Sequence, residues 1–156
     1  MSARDSQRSK VYAAERFART MFDRASERGS TVDFFGTSLT LPPEARFSSV
    51  DDVQRYVDRV LGLPSRLTVR ARRGATAAHY ENRNGTGVIA VPEVSTRWAL
   101  RELVVLHEIA HHLCPCDPPH GPEFATAMAD LAATVMGPEA GYVLRVLYDK
   151  QGVKLR

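Results

Sequence analysis

The segment Arg97 to Leu113, RWALRELVVLHEIAHHL, most constrains what this chain can fold into. At ~100° per residue, Trp98, Ala99, Leu100, Leu103, Val104, Val105, Leu106, Ile109 and Ala110 spread around most of a helical circumference. Such a helix is expected to run through the interior, because no single flank could bury all of its apolar surface. Ser95 or Thr96 can cap its start, and CPCDPP after Leu113 forbids its continuation. The 156 residues match one domain of roughly 150 residues, and a chain of that size buries about 68 to 70% of its unfolded surface. With 44% hydrophobic and 25% charged residues, collagen-like, low-complexity and wholly disordered chains are excluded.

The other elements follow from periodicity and punctuation. Val11, Ala14, Phe17, Ala18, Met21, Phe22 and Ala25 recur at helical spacing between Ser6 and Arg28, and Gly29 stands at the C-terminal cap. Thr31 to Leu41 reads as one strand or a loose hairpin ending at Pro42-Pro43. Ser49 followed by Asp52 resembles a capping arrangement for a second helix ending near Leu61, with Gly62 and Pro64 as the stop. Leu67 to Arg72, Ala75 to Glu81 and Gly87 to Val91 predict three short strands, the last two flanking the turn pair Asn84-Gly85. Pro122 opens a fourth helix through Met136, and Pro138 to Gln151 forms a fifth. No internal repeat or linker interrupts the chain, so one domain over 1–156 is expected.

His107-Glu108-Ile109-Ala110-His111 lies inside the apolar helix. His107 and His111 fall about 40° apart on one face, so imidazoles from successive turns can meet one metal ion. Glu108 falls about 100° from His107, which keeps its carboxylate off the metal and beside the water that the metal activates, where it can act as a base. Histidine and glutamate are costly to bury without partners, so their grouping in an apolar helix points to a metal rather than to chance packing.

A catalytic zinc usually takes three protein ligands and leaves one position for water. Downstream candidates are His112, Cys114, Cys116, Asp117, His120, Glu123 and Asp130. His112 lies about 140° from His107 and faces away, as a surface residue or one that supports the ligands from behind. His120 follows a Pro-rich loop that lets the chain turn back toward the helix, and it is the favoured third ligand. A metzincin pattern fails, because Asp117 stands where its third histidine belongs. A carboxylate ligand from the next helix would be Glu123 or Asp130, but Glu123 reads more simply as a first-turn carboxylate favoured by the helix dipole. Pro115 and the helix end argue against both Cys114 and Cys116 reaching a metal.

The string HEIAHHLCPCDPPHGPEFATAM resembles the active-site region of SprT-like zinc metalloproteases, which carry HExxH, a variable loop, HGPEF or HGPEW, and often a methionine one turn later. It is also similar to a group of small actinobacterial metallohydrolases with the same pattern. The match covers about Leu103 to Met128. The resemblance implies that His107, His111 and His120 bind one catalytic zinc ion and that Glu108 is the catalytic glutamate. It implies an α+β, zincin-like domain, a small mixed sheet packed against about five helices with the HExxH helix buried, and a metalloprotease acting on a protein or peptide. The alternatives are a zinc-binding regulatory module without turnover, against which the retained Glu108 speaks, and hydrolysis of a non-peptide amide. SprT-like proteins commonly continue into a zinc ribbon with four cysteines, whereas two cysteines are present here, so a DNA-repair role does not come with the motif. Cys114-Pro115-Cys116 also departs from the family pattern.

Other signals are weaker. His79 and Tyr80 lie on a strand that could pair with extended substrate, though one polar face of a half-exposed strand accounts for them more simply. Tyr142, Arg145, Tyr148, His79 and Tyr80 are unranked candidates for stabilising an oxyanion. Arg66, Arg70, Arg72, Arg73 and Arg83 surround Glu81, but no aromatics are interleaved, so a charged edge strand is favoured over a nucleic-acid surface. The net charge of +3 decides nothing. MSARDSQRSK has no apolar signal region, no run approaches a membrane span, and a disulfide between Cys114 and Cys116 would be strained. A soluble cytoplasmic protein is therefore expected, without a membrane partner.

Overall fold

In the computed structural model, residues 2–62, 66–73, 77–92 and 100–156 are described, and they form two compact units. The first comprises 1–44 and 114–156, the second 45–113. Among the described residues, five helices and two small sheets make a mixed α+β architecture.

In the first unit, α1 (Arg8–Glu27) buries Val11, Ala14, Ala18, Met21, Phe22 and Ala25 as one stripe. Gly29 follows with φ of 69° and lets the chain leave the helix as expected. Thr31–Leu41 resolves into a hairpin rather than one strand: β1 (Thr31–Phe34) pairs antiparallel with β2 (Thr37–Thr40). Both turn residues, Phe35 and Gly36, have positive φ. Helix α4 (Pro122–Met136) and helix α5 (Pro138–Lys150) each carry proline at the first turn. They approach closely at Gly141, where an added Cβ would lie 2.6 Å from the Ala133 Cβ. Inside this unit Tyr148 is fully buried on α5 and donates its hydroxyl hydrogen to Glu15 on α1 at 2.8 Å.

The second unit begins with α2 (Val50–Leu61), where the Ser49 hydroxyl accepts from the Asp52 amide as the capping pattern predicts. Gln54 ties this helix to β3 (Leu67–Arg72): its amide donates to the Leu67 carbonyl and its oxygen accepts from the Val69 amide. Strands β4 (His79–Arg83) and β5 (Thr86–Pro92) form the hairpin expected around Asn84-Gly85, with φ of 53° and 83° at the turn. β3 joins β5 on its other edge in parallel, giving the order β3-β5-β4 and a mixed sheet. This leaves β4 at an edge.

Helix α3 (Glu102–Leu113) closes the second unit, and every residue from Glu102 through Ala110 is buried. The expected cap at Ser95 or Thr96, the helix start at Arg97 and Trp98 lie outside the described residues. Arg101 is instead bridged to Arg46, so the described helix begins one residue later. Its first residue is anchored: the Glu102 carboxylate accepts from the Ala45 amide at 3.0 Å and from the Tyr56 hydroxyl. Among the described residues, no helix is long and apolar enough to cross a membrane.

Candidate metal centre

Helix α3 presents His107 and His111 one turn apart on the same face, with Nε2 atoms 3.2 Å apart and rings crossing at 76°. Zinc–nitrogen bonds of about 2.05 Å at a tetrahedral angle place two donor nitrogens about 3.3 Å apart. The two imidazoles are therefore spaced as neighbouring ligands of one ion. Glu108 is also buried, beside His107 on the helix.

His112 does not point to open solvent. It is half-buried against the sheet, its Nδ1 lies 3.0 Å from the Tyr80 hydroxyl on β4, and the Tyr80 ring stacks 6.4 Å from that of His111. Gly87 on β5 makes room for it, since a Cβ there would sit 2.5 Å from the His112 Nδ1. Burial lowers the His112 pKa from its ordinary value. Tyr80 and His112 thus brace α3 against its own sheet, a contact that the spacing of His112 allowed without specifying.

In the other unit, His120 is buried two residues before α4. Its Nδ1 lies 2.8 Å from Asp5 Oδ2, and its backbone N–H donates to Asp5 Oδ1 at 3.1 Å. The rings of Tyr12 and Phe124 flank the imidazole at 5.2 and 5.1 Å. Asp5 escaped sequence reasoning entirely: it stands 115 residues from His120, in a segment whose composition carries no signal.

His107 and His111 belong to the second unit and His120 to the first. As donors they fit a metal ion: His107 and His111 present neighbouring nitrogens from one helix, and the His120 imidazole is buried with its Nδ1 engaged by a carboxylate, the arrangement common behind histidine ligands.

The competing ligands fall elsewhere. Asp117 is exposed and accepts from the Ala3 amide, Glu123 is exposed in the first turn of α4, and Asp130 pairs with Arg145. Cys114 and Cys116 are free thiols. Burial, and secondly the Cys114 thiol, push the Cys116 pKa up to about 12, so it is protonated near neutrality and not in the thiolate form that binds metals.

The oxyanion candidates also separate. Tyr148 is spent on Glu15; burial, and secondly the Glu15 charge, hold its pKa well above the usual tyrosine value. Arg145 is paired with Asp130, and the exposed Tyr142 packs edge-on to Phe34. Tyr80, by contrast, packs against the His111 ring on α3. Of the strand arginines, Arg70 and Arg83 pair with Glu81, whose pKa is lowered chiefly by the hydrogen bond from Arg70, and Arg72 donates to the Ala77 carbonyl. These contacts account for much of the local basic excess without an outside partner.

Comparison of the chain with protein families, with curated proteins and with solved structures finds no match in any of the three.

Proposed function

We propose that this protein is a zinc-dependent metallohydrolase, and that peptide bonds are its substrate class. The carrying observation is the pair His107 and His111 on α3, spaced as neighbouring ligands, with the buried Glu108 adjacent to the first of them; His120 completes the donor set by the resemblance of HGPEF to the SprT-like motif. Three neutral nitrogen donors suit zinc and leave room in a four-coordinate shell for a reactant. When bound, the ion would supply Lewis acidity, acidifying water and polarising a carbonyl.

The chain's own residues supply the rest. His107 and His111 are held by a helix buried along nine consecutive residues, so their nitrogens are preorganised. Glu108 accepts a proton from the attacking water at its carboxylate and returns it to the departing nitrogen, a transfer needing a group that is near the ligands but not one of them. A purely structural site has no use for that carboxylate. The likeness of HEIAH and HGPEF to SprT-like proteases supports a peptide substrate over another amide.

The test is degradation of an unfolded protein by the zinc-loaded chain, read by mass spectrometry, beside Glu108→Gln. The variant should keep one zinc per chain and lose turnover by about 10²- to 10⁴-fold, the usual contribution of a positioned general base. Equal fragmentation by both proteins would remove Glu108 from that role. Full zinc loading with no fragments from either would leave a metal-binding module.

A further inference from the structure

We propose that Asp5 is a positioning residue of the metal centre, fixing the tautomer and orientation of His120 so that Nε2 faces the metal. The inference rests on the metal-binding part of the reading above and not on catalysis.

A neutral imidazole carries one N–H and one lone pair, so its partner at one nitrogen decides which nitrogen can coordinate. Both Asp5 oxygens face donors of the same residue, Oδ1 the His120 backbone N–H at 3.1 Å and Oδ2 the ring Nδ1 at 2.8 Å. A carboxylate accepting at both oxygens places the ring hydrogen on Nδ1, and the lone pair is then at Nε2. The same pairing raises the basicity of the coordinating nitrogen.

The grip is reinforced from both sides. Gln7, at the N-cap of α1, donates to the His120 carbonyl at 3.2 Å, and its side-chain oxygen accepts from the Lys154 amide at 2.6 Å. The Ala3 amide donates to the Asp117 carboxylate at 3.1 Å. Residues 3, 5 and 7 therefore hold the loop that bears His120 at three points. Tyr12 and Phe124 bracket the ring, so rotation about its side-chain bonds is restricted as well. The segment before α1 thus becomes part of the ligand set's support.

The experiment compares the full chain with Asp5→Asn and Asp5→Ala, measuring zinc affinity by competition with a chelating dye and the visible spectrum of the cobalt-substituted proteins. Asparagine keeps the size of the side chain but can accept from only one of the two His120 donors while presenting an N–H to the other. Both variants should bind zinc about 10- to 100-fold more weakly, the usual effect of removing a ligand's carboxylate partner. Their cobalt bands should shift, while the metal-free Asp5→Asn protein melts close to the native one. Zinc affinity and cobalt spectra unchanged in both variants would overturn the inference alone. A native chain that binds neither zinc nor cobalt would overturn the metal reading and this inference with it.

Discussion

Replacing Gly141 by alanine sets two helix effects against each other. In an open helix, Gly→Ala stabilises by up to about 1 kcal/mol, because alanine loses less backbone entropy. At Gly141 the new Cβ would stand 2.6 Å from the Ala133 Cβ, 3.1 Å from the Ala129 carbonyl oxygen and 3.2 Å from the Ala133 Cα. Ordinary carbon contacts are about 3.5 to 4.0 Å, so α4 and α5 must part by about 1 Å. None of these atoms is the end of a flexible side chain, so the relief requires helix movement, and the upper part of the ~1 to 3 kcal/mol overpacking range applies. The net expectation is a loss of about 2 kcal/mol. At ~2 to 4 °C per kcal/mol for a chain of this length, Tm should fall by about 4 to 8 °C. Thermal unfolding followed by far-UV circular dichroism reads this directly. In an Ala133→Gly background the same substitution should cost less, because the shortest contact is gone. An unchanged or higher Tm for Gly141→Ala would refute the close helix approach.

Three further substitutions separate ligand from support and core from site. His120→Ala should weaken zinc binding far more than His112→Ala, since His112 is engaged by Tyr80; equilibrium dialysis with zinc measures both, and the reverse order would move the third ligand. Tyr148→Phe should remove a hydrogen bond to a charged partner worth about 1.5 to 3 kcal/mol and lower Tm by roughly 3 to 12 °C while leaving zinc affinity unchanged. A loss of zinc affinity in that variant would show that Tyr148 acts beyond the α1–α5 core.

Expectations resting on short-range pattern were met most closely. α1 lies within Ser6–Arg28 because its apolar stripe repeats over five turns, and α2 begins where Ser49 caps it, because capping is an interaction three residues long. The Asn84-Gly85 hairpin is equally local, since two residues with positive φ are what such a turn requires. His107 and His111 share a face by helix geometry alone, and their 3.2 Å nitrogen separation is what an i, i+4 pair can reach.

What the sequence determined by itself was therefore the local framework: the helices, the hairpin, the histidine pair and a third histidine beyond a helix-breaking loop. Tertiary structure alone decided which distant groups meet. The parallel pairing of β3 with β5, the seating of His112 against Tyr80 and Gly87, the Tyr148–Glu15 pair and the Asp5 carboxylate on His120 have no periodic signature. Asp5 is the clearest case. A single acceptor needs no neighbours of its own kind, and its value arises only when the chain brings it 2.8 Å from a ring 115 residues away.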